Sequence, residues 1–317
     1  MNKKLNVYLA GPRGFCAGVD RAIEMVKSAL KKYGKPVYVR HEIVHNKYVV
    51  DSLKSEGAIF VEDLNEIDDK SRPVIFSAHG VPKSVPEEAS KLNLLFFDAT
   101  CPLVSKIHKE VEQFDKKKLP VILIGHRNHP EVIGTMGQTN NEIYLVEKVS
   151  DVKKLPINKN EKISYVTQTT LSVDDTHDII ENINSKFPAA EIRNDICYAT
   201  TNRQAAVKEL AKKTDLILVV GSPNSSNSVR LMEHARSAGV TAYRIEGIEE
   251  IEEQWFKNVG IIGLTAGASV PDELLDPIIN LLIQKGIKKI DTITVAQETV
   301  EFKPPNDLPI PKRTLTQ

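Results

Sequence analysis

The chain alternates between short apolar runs and longer stretches in which apolar residues recur every three or four positions. The short runs, such as Val37–Arg40 and Val121–Ile124, are rich in β-branched residues and predict buried strands. The longer stretches, such as residues 19–33, present one apolar face and predict helices. Strands that alternate with helices indicate an α/β fold with mainly parallel sheets, in which polar loops gather at the carboxyl ends of the strands and bind ligands.

The three cysteines occupy the same kind of position in this pattern, because each lies where an apolar run gives way to a helical stretch. The runs before Cys16, Cys101 and Cys197 predict strands at residues 5–10, 95–98 and 191–196. At the same distance of 25 residues beyond each cysteine, another apolar run ends in a polar loop, at His41, His126 and Ser222. This recurrence predicts an internal triplication into three small α/β domains rather than a stacked array of short repeats.

The triplication divides the chain into three pseudo-equivalent units. We expect the first at residues 1–97, the second at 98–193 and the third at 194–285, each with one cysteine. Residues 286–317 are then a C-terminal extension. Its last part, residues 301–317, has four prolines and no periodicity, which predicts a tail that lies extended over the surface or is disordered.

Charge and composition exclude several classes of protein. The 317 residues carry a formal net charge of zero, so no long-range field draws the chain to nucleic acid or to a membrane surface. No apolar run approaches the roughly 18 residues that a membrane span needs. Three cysteines cannot all pair within one chain, which favours a reducing cytoplasm as the location.

The cysteines point to a metal centre. A thiol at a helix start faces free backbone N–H groups, which favours thiolate. A tetrahedral zinc site would need a fourth protein ligand, and the chain has no C-x-x-C pair. Three thiolates could instead hold one iron–sulfur cluster, in which four irons would leave one without a protein ligand. Three buried structural cysteines are the alternative, since free cysteine is among the most buried residue types.

Polar loop residues are the second signal. Three histidines end strands of the first two units: His45, His79 and His129. Hydroxyl and amide side chains end strands of the third unit: Ser225, Ser226, Asn227 and Ser269. Such donors suit a phosphate or diphosphate, with charge assistance where histidine is protonated. The chain has no P-loop motif, and the serine-rich loop could equally be an ordinary turn with a helix cap.

Glu131 is a candidate proton donor, because its carboxyl group follows His129 directly after Pro130. A first-turn glutamate that only complements the helix dipole is the alternative. Thr169 and Thr170 could relay that proton or hold a substrate hydroxyl, or they could simply cap a helix or extend a strand.

The motifs at these loops are Ala10-Gly-Pro-Arg-Gly-Phe-Cys16-Ala-Gly-Val, Glu42-Ile-Val-His45-Asn, Ser77-Ala-His79-Gly-Val, Asp98-Ala-Thr-Cys101-Pro-Leu-Val, Gly125-His-Arg-Asn-His129-Pro-Glu131, Thr167-Gln-Thr-Thr-Leu-Ser, Asp195-Ile-Cys197-Tyr-Ala-Thr-Thr-Asn-Arg, Gly221-Ser-Pro-Asn-Ser225-Ser-Asn227-Ser and Thr265-Ala-Gly-Ala-Ser269. Together they resemble the 4-hydroxy-3-methylbut-2-enyl diphosphate reductase family, LytB. The similarity extends from Tyr8 to about Val300.

The resemblance implies a three-domain trefoil around a central [4Fe–4S] cluster bound by Cys16, Cys101 and Cys197. One iron has no protein ligand, and its loss would leave [3Fe–4S]. The implied activity is reductive dehydroxylation of an allylic diphosphate to isopentenyl and dimethylallyl diphosphates, the last step of the non-mevalonate (methylerythritol phosphate) pathway. The implied partner is an electron-donor protein such as ferredoxin or flavodoxin.

The resemblance also implies roles for the loop residues. Glu131 is the proton source and Thr169 lies beside the substrate hydroxyl. The substrate site is lined by His45, His79, His129, Thr169, Thr170, Ser225, Ser226, Asn227 and Ser269. Two other classes remain open: a cluster-dependent hydro-lyase, which needs no net electrons, and a non-enzymatic redox sensor, which needs no diphosphate pocket.

Overall fold

The computed structural model describes residues 6–191 and 195–304, and over these ranges the chain forms three separate parallel sheets. In chain order the strands are β1 (Asn6–Gly11), β2 (Val37–Arg40), β3 (Ala58–Val61), β4 (Pro73–Phe76), β5 (Leu95–Asp98), β6 (Val121–Ile124), β7 (Ile143–Val146), β8 (Ser164–Thr167), β9 (Leu216–Val220), β10 (Thr241–Ile245), β11 (Ile261–Ala266) and β12 (Lys289–Thr294). The predicted fold class, three small α/β units with parallel sheets, is therefore confirmed.

Helices connect the strands and cover the sheets. In chain order they are α1 (Ala17–Tyr33), α2 (Lys47–Glu56), α3 (Ser84–Lys91), α4 (Pro102–Lys116), α5 (Pro130–Met136), α6 (Val149–Val152), α7 (Val173–Lys186), α8 (Tyr198–Ala211), α9 (Ser226–Ser237) and α10 (Asp276–Gln284). Buried apolar side chains from the strands and helices form separate clusters on the faces of each sheet. Within the described ranges, no helix is both long and apolar enough to cross a bilayer.

The strand orders are β3-β2-β4-β5 in the first sheet, β7-β6-β8 in the second and β10-β9-β11-β1-β12 in the third. The strand order of the third sheet corrects the predicted division of the chain into units. The predicted boundaries place β1 in the first unit and β12 in the C-terminal extension, yet both strands belong to the third sheet. The reason is that β1 is apolar on both faces: Val7 and Leu9 pack in one core cluster, and Ala10 packs in another. A strand buried on both faces belongs inside a parallel sheet, with a neighbour on either side.

Each cysteine lies directly before a helix: Cys16 before α1, Cys101 before α4 and Cys197 before α8. Strands β1 and β5 precede the first two, as predicted. The strand predicted at residues 191–196 differs. Glu191 makes one parallel bridge to Ser164, residues 195 and 196 lie in no strand, and residues 192–194 lie outside the described part, as does the predicted boundary at 193/194.

After β12 the chain continues through residues 295–304 without helix or strand. The predicted tail begins inside this segment, and residues 305–317 lie outside the described part of the chain. The segment is more than a surface feature, because Phe302 lines the central cavity described below.

Candidate functional site

One cavity lies where loops from all three sheets meet. Its volume is about 110 Å³. Its lining includes every residue that was predicted from the sequence to bind metal, bind substrate or catalyse: Cys16, Cys101, Cys197, His45, His79, His129, Glu131, Thr169, Thr170, Ser225, Ser226, Asn227 and Ser269. The fold thus brings these residues together, and their individual roles stay predictions.

The three thiols border the same space. A Cβ atom built on Gly18 would come within 2.6 Å of the Cys101 Sγ and 3.9 Å of the Cys16 Sγ, so glycine at this position leaves room for both sulfurs. Cys197 lines the same cavity, and its backbone N–H donates to the carbonyl oxygen of Thr169 at 3.1 Å. Three cysteines that are far apart in the sequence therefore lie on one cavity wall.

This donor set fits a polynuclear cofactor better than a single ion. Over residues 6–191 and 195–304, no three His, Cys, Asp or Glu side chains are close enough to hold one metal ion together. In a cluster each cysteine binds a different iron, so the sulfurs need to border a common space rather than meet at a common point. The alternative of three structural cysteines does not explain why a cavity lies between them.

Burial raises the pKa of all three thiols. The pKa of Cys101 is raised to about 12 and that of Cys197 to about 11, and the pKa of Cys16 is raised as well. Hydrogen bonds at the helix starts lower these pKa values only in part. The helix starts therefore favour thiolate, as predicted, but removing the sulfur from water destabilises the anion more than the backbone N–H groups stabilise it.

The three predicted histidines form one cluster. The ring centroids of His45 and His79 are 4.1 Å apart, and the ring of His129 lies 5.5 Å from His45 and 6.0 Å from His79. Burial, assisted by the neighbouring rings, lowers the pKa of His79 well below its usual value and lowers that of His129 to about 3. Both rings are therefore neutral at these pKa values, and the predicted charge assistance would require a bound anion to raise the pKa of a ring.

Hydrogen bonds select the nitrogen atom that each ring offers to a ligand. Nδ1 of His129 accepts the backbone N–H of Glu131 at 3.2 Å, so the neutral ring carries its proton on Nε2. Nδ1 of His45 lies 3.1 Å from Oε2 of Glu42, and this contact lowers the pKa of Glu42. The ionised carboxylate keeps a proton on Nδ1 of His45. The buried Nε2 of His45 has no hydrogen-bond partner among the described residues.

The third unit supplies a wall of hydroxyl and amide groups. Oγ of Ser225 accepts the backbone N–H of Ser228 and caps α9, so the capping role does apply to this loop. Oδ1 of Asn227 accepts the backbone N–H of Ala268 at 2.9 Å. Its Nδ2, in contrast, is buried and unpaired within the described ranges. A buried amide donor without an acceptor is costly, and an anionic oxygen in the cavity would satisfy it.

Two hydroxyl groups join the walls of the cavity. Oγ of Ser269 donates to the carbonyl oxygen of His45 at 3.0 Å and so links the third unit to the first. Oγ of Ser226 donates to the carbonyl oxygen of Thr170 at 3.3 Å and links the third unit to the second. These two hydrogen bonds therefore hold the polar walls of the cavity in fixed positions relative to one another.

Glu131 lies in the first turn of α5 and is only 3% exposed. Its Oε1 accepts the backbone N–H of Thr169 at 2.6 Å, and its Oε2 accepts the hydroxyl of the same residue at 2.9 Å. Burial raises the pKa of Glu131 to about 7, although both bonds from Thr169 lower it. A surface glutamate that only complements a helix dipole would not be buried in this way. A carboxyl group with this pKa can hold and release a proton near neutral pH.

Three residues that were not singled out from the sequence contribute to the site. Tyr198 and Phe302 line the cavity. Arg203 is fully buried and donates to two carbonyl oxygens in the loop before Cys16. A signal for Arg203 was present in the sequence: α8 has polar residues where other helices show an apolar stripe, which is typical of a helix buried among polar partners.

This chain is similar in sequence to known proteins. The profile of the family described as LytB protein matches residues 7–283. A protein from Ruthia magnifica subsp. Calyptogena magnifica, named 4-hydroxy-3-methylbut-2-enyl diphosphate reductase, is 52% identical over 306 residues, which cover 96% of this chain and 100% of that protein. A protein of the same name from Tolumonas auensis is 54% identical over 309 residues, which cover 96% and 99% of the two chains.

Two solved structures are also similar. The E-1-hydroxy-2-methyl-but-2-enyl-4-diphosphate reductase from Plasmodium falciparum has a TM-score of 0.92 at 42% identity and covers 97% of both chains. An (E)-4-hydroxy-3-methyl-but-2-enyl diphosphate reductase, described as the terminal enzyme of the non-mevalonate pathway, has a TM-score of 0.65 at 33% identity and covers 88% of this chain and 99% of its own. With its motifs, its three sheets and its full-length relatives in agreement, the chain belongs to the LytB family.

Proposed function

We propose that this chain reduces 4-hydroxy-3-methylbut-2-enyl diphosphate to isopentenyl diphosphate and dimethylallyl diphosphate, as the last step of the non-mevalonate pathway. The observation that carries the proposal is the composition of the cavity. Three partly buried thiols, one carboxyl group of raised pKa and a wall of anion-binding donors border the same space. The names of relatives that match 96% of the chain or more support the assignment.

The proposed cofactor is one [4Fe–4S] cluster held by Cys16, Cys101 and Cys197, with one iron that has no protein ligand and can be lost to leave [3Fe–4S]. When bound, the cluster supplies the two electrons of the reduction one at a time. The partly buried thiols fit this role because nearby iron would provide the positive charge that stabilises a thiolate away from water. We further propose a cytoplasmic location and an electron donor such as ferredoxin or flavodoxin, since this cofactor suits a reducing compartment.

The substrate diphosphate is proposed to bind between the histidine cluster and the wall of the third unit. Nε2 of His45 and Nδ2 of Asn227 are buried polar atoms that lack partners within the described ranges. A diphosphate oxygen would accept a hydrogen bond from Nδ2 of Asn227, and would accept one from Nε2 of His45 when that nitrogen also carries a proton. The negative charge of the diphosphate oxygens would also raise the pKa of His79 and so favour its charged donor form, while the neutral ring of His129 already carries a donor proton on Nε2.

Glu131 is the proposed proton donor. The reaction replaces a C–O bond with a C–H bond and releases water, so it consumes two electrons and two protons. One proton leaves with the hydroxyl group, and we assign its delivery to Glu131, with Thr169 hydrogen-bonded to both oxygens of that carboxyl group. The other proton can reach either end of the three-carbon allylic unit, which accounts for two isomeric products.

The test is anaerobic purification with iron and sulfide analysis, followed by incubation of the protein with the allylic diphosphate, with and without a chemical reductant. We expect bound iron and sulfide, and both isomers only when the reductant is present. Turnover that is independent of the reductant would indicate a hydro-lyase. A cluster-bearing protein that binds no allylic diphosphate would indicate a redox sensor. Either result would overturn the proposal.

A further inference from the structure

Arg203 joins two of the proposed cofactor-binding elements. Its guanidinium group donates to the carbonyl oxygen of Gly14 at 2.7 Å and to that of Phe15 at 3.1 Å, in the loop that leads to Cys16. It also donates to the carbonyl oxygen of Ala199 at 3.0 Å, in the first turn of α8. The fully buried guanidinium group therefore holds the loop before Cys16 against the first turn of α8, the helix that begins after Cys197.

The remaining partner of Arg203 is Glu298, in residues 295–304. Nη1 of Arg203 lies 2.9 Å from Oε1 of Glu298, and Nη2 lies 3.3 Å from Oε2, so the ion pair is bidentate. Asn202 adds a third hydrogen bond, from its Nδ2 to Oε1 of Glu298 at 3.1 Å. The side chain of Glu298 is only 14% exposed. Loss of this carboxylate would leave the buried guanidinium charge uncompensated.

Residues 295–304, called here the C-terminal segment, depend on such contacts because they form neither helix nor strand. The backbone N–H of Val295 donates to the carbonyl oxygen of Gly11 at 2.8 Å, which attaches the start of the segment to the end of β1. Phe302 lines the cavity that contains the thiols. Between residues 300–304 and α1 lies a groove of about 440 Å³, so the segment is not packed tightly against that helix.

We propose that the Arg203–Glu298 pair positions the C-terminal segment so that Phe302 forms a removable wall of the cavity, which shields the thiols from solvent. Arg203 and Glu298 are then positioning residues, and Phe302 is the side chain that excludes water. Breaking the pair leaves the other walls in place but lets the segment move away. Because the thiols hold a cofactor only under the function proposed above, shielding of the cofactor rests on that function, whereas shielding of the thiols does not.

The first test measures thiol access in the full-length, iron-free protein under anaerobic conditions. Iodoacetamide labels each cysteine, and mass spectrometry of peptides gives the rate for each. Glu298→Gln and Phe302→Ala should both raise the labelling rates by about tenfold, the order expected when a charged hydrogen bond or an apolar wall is lost from a locally opening segment. Glu301→Gln, which changes an exposed carboxyl group of the same segment, should label at the wild-type rate. Wild-type rates in both of the first two variants would overturn the proposal.

A second measurement separates positioning from general loss of structure. Hydrogen exchange in residues 296–304 should rise in Glu298→Gln, while the three sheets keep their protection. Exchange that rises throughout the sheets would indicate a merely structural role and would contradict the proposal. In protein loaded with the cofactor, bleaching in air should also be faster in both variants. If anaerobic protein carries no cluster, the proposed function fails, and the labelling experiment still decides whether Phe302 shields the thiols.

Discussion

The carboxylate of Glu131 accepts two hydrogen bonds from Thr169, one from the backbone N–H and one from the side-chain hydroxyl. The carbonyl oxygen of Thr169 in turn accepts the backbone N–H of Cys197. A single residue therefore connects the proposed proton donor to a proposed iron ligand. This connection fixes Glu131 relative to Cys197, as a proton transfer coupled to reduction at the proposed cofactor would require.

Replacement of Glu131 by glutamine should lower kcat by a factor of about 100 or more, as for loss of a general acid. Glutamine retains the shape of the side chain and an acceptor oxygen for Thr169. The variant should therefore keep its iron content and its affinity for the allylic diphosphate. Steady-state turnover, iron analysis and binding of the substrate under non-reducing conditions measure the three quantities.

Glu161→Gln is the control for this variant, because Glu161 is an exposed carboxyl group. It should leave kcat at the wild-type value. Wild-type turnover in Glu131→Gln itself would remove Glu131 from the mechanism.

The pH dependence of kcat should report on Glu131. A reaction that needs the protonated acid proceeds below the pKa, and its rate falls as the pH rises above about 7. The hydroxyl of Thr169 stabilises the ionised carboxylate and so lowers this pKa. Thr169→Val removes that bond, and we expect the falling limb of the pH profile to move to higher pH. Thr169→Ser retains the hydroxyl and should restore the wild-type limb; identical limbs in all three proteins would contradict this assignment.

Asn227→Asp tests the diphosphate site with little change in shape. The new carboxylate can still accept the backbone N–H of Ala268, but it replaces the unpaired Nδ2 donor with a negatively charged oxygen. We expect the Kd of the allylic diphosphate to rise by about 100-fold, because a lost donor is combined with repulsion between like charges. Asn158→Asp is the matched control, since the exposed Asn158 also accepts a backbone N–H through Oδ1. Calorimetry should show unchanged affinity there; an unchanged affinity in Asn227→Asp would exclude this residue from the site.

Single Cys→Ser changes at positions 16, 101 and 197 should each lower bound iron and sulfide and weaken the brown colour expected of the cluster, because each thiolate is proposed to hold a different iron. Ser222→Ala, which lies outside the central cavity, should retain both. Iron and sulfide analysis after anaerobic purification gives the contents. Full iron in all three cysteine variants would refute the ligand assignment.

Local patterns predicted many of the residues that line this cavity. The positions of the cysteines before α1, α4 and α8 followed from apolar runs that end at turns, and the loop donors followed from strand ends. The regular spacing of 25 residues identified the recurring units but not the site. His41, at this spacing, pairs with the exposed Glu62, and His126 lines a separate pocket. Sequence distance locates a loop but does not determine the direction of its side chains.

Features that depend on distant parts of the chain were not predictable in this way. β1 joins the third sheet because its apolar residues need strands on both sides, and no local pattern specifies which strands these are. Arg203 and Glu298 are 95 residues apart, and only the fold shows that they meet. The raised pKa values of the thiols have the same origin, since the degree of burial depends on packing between the units.

The central claim, that three distant cysteines share one cofactor, is tested most directly by crystallography of anaerobically purified protein with anomalous scattering from iron. The account predicts one cluster of about four irons in the central cavity, bonded to the Sγ atoms of Cys16, Cys101 and Cys197. Iron bound elsewhere, a single iron ion, or thiols that contact no common inorganic core would contradict it.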